Sequence, residues 1–495
     1  MPPLWVTGYR VISQPRNSQR ATQSGGMAAA LQHTIPRPMP PSLFRAELRR
    51  LFSLALPLAA AQAGTQMMNI VDIAMLGHVG ARELGGAGLA GTIFFAIAML
   101  GTGTIYGMDP MIAQALGANN HERARQLLWQ GVWLALIVTG VLTVPLLFAP
   151  RLLPLLHVKP DLIEPATAFL LVRTTGLAPL LLFFVLRSYL QAQHITRPMI
   201  VSMLVCNIVN FLGDLLFVFG GAQLPAWTGP LRNIPPLGAA GAAIVTVMAS
   251  FVQLAIVAAA VRRIRVKASP RFNGADVLQA VRIGLPIGTQ ICAEIGIFAL
   301  VGLLAGSLGT YDLAAHQLVL GLASFTYSFA LGFAAAGAAR VGLAVGARDQ
   351  HRTRAAGFAA IGGGALVMAI GAIAFAAFPR AIARMFTNQS DVIATAIPLF
   401  LVAAVFQLSD GIQTVASGAL RGAGDTRFSF LSNLFGHWLL GLPIALFLGF
   451  SRGMGIVGLW WGLCVGLTAV AILLFARFHR LSSNAIVPIG ETRLA

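Results

Sequence analysis

The chain has 495 residues, of which 57% are hydrophobic and only 10% charged, the balance of a protein whose main solvent is a bilayer rather than water. Its formal net charge of +18 suggests a nucleic-acid partner until the basic residues are sorted by position. Apolar runs long enough to span recur at 51–76, 84–108, 127–150, 167–190, 198–221, 238–261, 281–306, 312–337, 355–378, 394–418, 428–450 and 455–477.

Of the 34 lysines and arginines, 26 lie before the first run, in or beside every second loop, or at the C-terminal end. Only 7 lie in the alternate loops, and Arg173 sits inside a span. This asymmetry predicts that both termini face the cytoplasm and makes the charge a topology signal, with no nucleic-acid partner implied.

The domain plan follows in chain order. Residues 1–42 contain no acid and the run IPRPMPP, and are expected to be a disordered cytoplasmic extension; a transit peptide is the alternative, and Met27 is a second possible start. Spans 1 to 6 occupy 43–261, a basic cytoplasmic loop 262–280, spans 7 to 12 occupy 281–477, and 478–495 form a cytoplasmic tail. Cys206, Cys292 and Cys464 fall within spans without paired spacing, so neither a disulfide framework nor a zinc site is indicated. Lys159 and Lys267 each follow a valine, so no P-loop is present and no organic cofactor is implied.

The two halves repeat at an offset of 229. Pro57 lies over Pro286, Gly77 over Gly306, Gly103 over Gly332, and the loop AQALGANNHERAR over GLAVGARDQHRTR. At offset 230, LQAQHITRP lies over LRGAGDTRF. Six spans per half is an even number, so both halves enter the membrane with the same orientation. Secondary transporters with parallel repeats place the substrate path between the halves and rock one against the other.

Four of the sixteen acids lie inside spans: Asp72 in span 1, Asp214 in span 5, Glu294 in span 7 and Asp410 in span 10. A charge at mid-bilayer costs roughly 2.5–3.5 kcal/mol on insertion scales, so an acid there is a functional-site hypothesis. Asn210 precedes Asp214 by four residues and so shares its helix face, as Gln290 does with Glu294. Gln407 and Gln413 flank Asp410, and Gln66 precedes Asp72. Each half thus carries an acid pair with polar neighbours that is suited to loading and releasing protons, and Asp72, Asn210 and Asp214 together could hold a proton or a small cation. Arg173 reads as an interfacial or snorkelling arginine.

In this order, LPLAAAQAGTQMMNIVDIAMLGHVG, MIAQALGANNHERAR, LQAQHITRP, NFLGDLLFVFG, PPLGAAGAAIVT, SGALRGAGDTR and HWLLGLP resemble the multidrug and toxic compound extrusion (MATE) transporters, NorM/DinF-like, from about residue 51 to 477. The resemblance implies an all-α membrane protein of twelve helices in two six-helix bundles. It implies, too, a non-enzymatic antiporter of the inner membrane that exports amphipathic, often cationic small molecules for H⁺ or Na⁺, as a monomer. By motif match it assigns proton coupling to Asp72, Asn210 and Asp214 and cation coupling, with sodium in several members, to Glu294 and Asp410, with no other metal expected, and this sequence carries both sets. His437 stands where the family often has tyrosine. The alternative is a flippase for lipid-linked sugars from the same superfamily, which more often has a basic central cavity. A major-facilitator transporter is disfavoured because loop 2–3 lacks that family's Gly-x-x-x-Asp-Arg pattern.

Overall fold

The computed structural model describes residues 41–155, 158–223, 225–484 and 486–491. Residues 1–40 of the expected extension lie outside the described residues, and the first helix opens at Pro41. Among the described residues the regular structure is all helical.

Among the described residues the helices make up twelve spans. Ten helical stretches are each long and apolar enough to cross a bilayer, and the pair Pro160–Thr175 and Leu177–Ala192, bent by 42°, forms an eleventh. The twelfth is the first helix, Pro41–Val79, whose 39 residues span about 58 Å at 1.5 Å per residue. It is less apolar than the rest because Gln62, Gln66, Asn69 and Asp72 share its second half. Several helices outrun their apolar runs: span 8 extends to Gly346 and span 12 covers Gly455–Ser482. The last turn of span 12 is polar and carries His479 and Arg480.

The repeat seen in the sequence is also a repeat of backbone geometry. Asn119 and Arg348, 229 apart, both take left-handed φ, 58° and 55°. The next residue in each half, Asn120 or Asp349, caps the following helix by accepting the backbone N–H of Arg123 or Arg352 at 2.9 Å. His194 and Gly424, related at offset 230, are left-handed as well, at 60° and 86°.

The halves meet through pairs that the same two-fold relates. A Cβ on Gly103 would overlap Gly288 of span 7, and a Cβ on Gly332 would overlap Ala59 of span 1. Likewise Gly117 is pressed on the Leu343 carbonyl and Gly346 on that of Gln114. All four contacts lie toward the end that carries the basic loops, where backbone is packed on backbone. Gly103→Val is therefore expected to destabilise the protein by about 2 kcal/mol or more through overpacking. Thermal unfolding in detergent checks this against Gly88→Ala, whose added Cβ meets nothing within 4 Å.

Candidate ion and substrate sites

In the first half, span 1 is drawn against span 5 because Gly64 leaves room for Met203, and Asn207 Nδ2 donates to the Gly64 carbonyl at 3.1 Å. That packing carries Asp72 to the polar face of span 5. Asn210 Nδ2 donates to Asp72 Oδ1 at 2.7 Å, and the Thr246 hydroxyl of span 6 lies 3.4 Å from Oδ2. Asn210 and Asp214 have no exposed surface. No N–H or neutral hydroxyl reaches either oxygen of Asp214. Asn210, one turn back on the same face, brings the carboxyl of Asp72 beside it, where one proton would let the two carboxyls share a hydrogen bond. Two carboxylates have no proton to share between them, so a single added proton makes this bond and satisfies the dyad.

Arg173 belongs to the same cluster. It lies in the last turn of Pro160–Thr175, just before the bend at Gly176, with its guanidinium 4.6 Å from the centre of the Phe94 ring. Nη1 is buried without a partner beside Gly176, where Val247 of span 6 also packs, the neighbour of the Thr246 that faces Asp72. The expectation of a snorkelling arginine thus fails, because the side chain stacks across the bundle on span 2. A charge at depth costs roughly 2.5–3.5 kcal/mol. The ring returns about 0.5–2 kcal/mol and the helix C-terminus about 0.3–1. The remainder falls to the opposed charge of the dyad.

In the second half, three amides converge on one oxygen. Glu294 Oε1 accepts Gln413 Nε2 at 2.6 Å, Gln290 Nε2 at 3.4 Å and the short bond from Asn433 Nδ2. Asp410, 8% exposed, accepts from the Thr414 hydroxyl at 3.4 Å. No hydrogen bond joins Asp410 to Glu294, but Thr414, which donates to Asp410, also lies 3.2 Å from Gln413, the donor to Glu294. Carboxylate, amide and hydroxyl oxygens are the ligands of hard cations.

Two secondary candidates stand apart. Gln66 accepts from Asn69 Nδ2 at 3.1 Å on an exposed part of span 1, and Gln407 is fully buried beside Gly371 with both amide atoms unpartnered. Conversely, Asn433 and Thr246 were not singled out from sequence. Asn433 sits four residues before His437 in an apolar run, the spacing that marked Asn210 and Asp214. His437 lies where span 11 winds as a π-helix, Leu434–Gly441, directly after Asn433, with His437 Nδ1 3.3 Å from the Asn433 carbonyl. Such widened turns recur at functional sites.

A third cluster closes the basic end. Glu47, 1% exposed, pairs with Arg340, with Arg352 at 3.1 Å and with Arg50 at 3.3 Å, joining span 1 to spans 8 and 9. Arg340 Nη1 donates to His194 Nε2 at 3.0 Å. Burial alone raises the Glu47 carboxyl, but Arg340, then Arg352 and Arg50, outweigh it and hold the group below the usual range. Burial, then Arg340 and Arg352, push His194 down to about 4. A depressed acid loses its contribution as pH falls through its folded value. A neutral-held histidine loses its contribution from the unfolded value of about 6.5 downward. Both signs agree, so the melting temperature is expected to fall as the pH drops below about 6.5, first through His194 and, below the ordinary glutamate range, through Glu47 as well. His194→Asn, which tolerates left-handed φ, should remove the part of that fall above pH 5.

With this geometry in view, the family model described as MatE matches residues 57–216 and 286–447, two copies beginning 229 residues apart. The chain belongs to the MatE family. Among its relatives, the "Probable multidrug resistance protein NorM" of Rhizobium meliloti is 33% identical over 454 residues, covering 89% of this chain and 94% of the relative. "Multidrug resistance protein MdtK" of Klebsiella pneumoniae is 32% identical over 445 residues, covering 88% and 95%. Of solved structures, an outward-facing multidrug resistance MATE family transporter superposes with TM-score 0.79 at 20% identity, covering 89% of this chain and 97% of that one. The eukaryotic MATE transporter AtDTX14 gives 0.76 at 21%, covering 89% and 99%. The solved neighbours share this chain's fold, which here is twelve helices in two bundles. It is a multi-pass membrane protein and not an enzyme.

Proposed function

We propose that this MatE protein is a multidrug antiporter of the inner membrane, with both termini cytoplasmic, exporting amphipathic cationic compounds for protons or sodium ions. The observation that carries the reading is the pair of buried carboxylate clusters, one in each half. The Asp72–Asp214 dyad is short of one positive charge to share, which suits a proton; the amide-rich surroundings of Glu294 and Asp410 suit sodium. The relatives' multidrug names support small organic substrates, and the basic-loop asymmetry supports the orientation. Each cluster is complete within one chain, so a monomer suffices.

In this cycle a cationic drug and the coupling ion compete for the carboxylates, and the halves rock to expose them to alternate faces. The structure is closed at the basic end by the glycine contacts and the Glu47 cluster, so loading from the cytoplasm requires those contacts to part. Exchange of one proton for one monovalent drug moves no net charge, so a membrane potential, worth about 2.3 kcal/mol per charge per 100 mV, cancels. The pH gradient remains, worth about 1.4 kcal/mol per unit. The test is binding of tetraphenylphosphonium to purified protein against pH. Competition by one proton predicts affinity falling about tenfold per pH unit on the acid side; affinity independent of pH and of sodium would refute competition at these carboxylates.

A further inference from the structure

The charges of the first-half cluster are unequal. Asp72 and Asp214 carry two negative charges when ionised, and Arg173 brings one positive charge that no hydrogen bond or ion pair at Nη1 neutralises. The other charged groups near this part of the bundle are engaged elsewhere. Glu83 of span 2 accepts the Ala239 N–H at 2.8 Å, Arg82 pairs with Glu164, and His78 of span 1 holds the Ala74 carbonyl at 2.7 Å. Spans 5 and 6 add only Asn210 and Thr246, which do not titrate. The cluster is therefore three charges with a sum of minus one.

We propose that Arg173 is the fixed countercharge of the Asp72–Asp214 dyad and sets the charge of the substrate, so that the site accepts one monovalent cation, proton or drug. In a low-dielectric surrounding the neutral arrangement costs least. With Arg173 present, neutrality is reached by one proton on the dyad, or by one monovalent drug against two ionised carboxylates, so exchange runs between two neutral states. A dication leaves the site one charge in excess. Without Arg173, neutrality needs two protons, or one dication, or one proton with one monovalent drug.

This inference rests on the dyad being the exchange site and acts on its specificity. The experiment measures binding of tetraphenylphosphonium and of the dication methyl viologen to the purified full-length protein across pH. In Arg173→Gln the affinity ratio should shift toward methyl viologen by about tenfold or more, as expected for one unit charge at a partly buried site. The acid-side loss of tetraphenylphosphonium binding should begin at higher pH, and Arg173→Lys should behave as the parent. Asp214→Asn alone leaves Asp72 and Arg173 balanced and should lose tetraphenylphosphonium, whereas Asp214→Asn with Arg173→Gln restores one unpaired carboxylate and should recover it. The double variant also keeps the test intact if Arg173→Gln alone does not fold. An unchanged ratio in Arg173→Gln, or no recovery in the double variant, overturns the countercharge role. Unchanged binding and pH profile in Asp72→Asn would instead remove the dyad as the exchange site, and the inference with it.

Discussion

Asp72→Asn should leave a folded protein that no longer exports against a pH gradient. The asparagine keeps the shape of Asp72, its oxygen still accepts from Asn210, and its amide donates to Asp214, so the contact between spans 1 and 5 survives. What is lost is the exchangeable charge. Wild-type protein exchanging one proton for one monovalent drug can build about tenfold accumulation per pH unit, and the variant should build none, with its melting temperature little changed. Export at normal rates across the pH range would remove Asp72 from the coupling step. Loss of export together with loss of folding would show a structural role instead, and the melting curve separates the two.

Asp410→Asn is expected to abolish stimulation of export by sodium, leaving the pH-driven component intact. The two halves hold chemically different sites: in the second, Glu294 is already surrounded by amide donors, and Asp410 supplies the second negative charge near it. A sodium ion would exchange those N–H contacts for amide and carboxylate oxygens, so removing one charge should weaken it strongly. A breakdown of this pattern, with Asp410→Asn blocking pH-driven export as completely as Asp72→Asn does, would mean that the two clusters act as one. A sodium response of normal size in the variant would rule out this cluster as the sodium site.

Much of this was legible in the chain because bilayers make some residues conspicuous. An acid in an apolar run is costly enough to stand out, so Asp72, Asp214, Glu294 and Asp410 were found without a structure, and residues spaced by four named Asn210 and Gln290 as companions. The repeat was legible because the close approach of the two halves requires glycine at related positions, Gly103 and Gly332 or Gly117 and Gly346. Neutral polar residues carry no such signal. Thr246 and Asn433 complete the clusters from other helices, and which helix comes near is a matter of packing. Gln66 and Gln407 were singled out for nearness in sequence alone, and packing sends them elsewhere: one toward an exposed face, the other toward span 9. Arg173 was placed at an interface because its partner Phe94 lies on span 2, which no local window around Arg173 reveals. The bend at Gly176 and the π-helical winding of span 11 left no mark in the apolar pattern that sets them apart from a straight span.

The most direct measurement is efflux from liposomes that contain the purified protein and are loaded with ethidium, with a pH gradient and a sodium gradient imposed in separate runs. The account predicts that ethidium moves against its gradient under at least one of them. The pH-driven part should be absent in Asp72→Asn and the sodium-driven part absent in Asp410→Asn. No ethidium movement under either gradient, from protein that melts as a folded species, would contradict cation-coupled drug export and turn attention to lipid substrates.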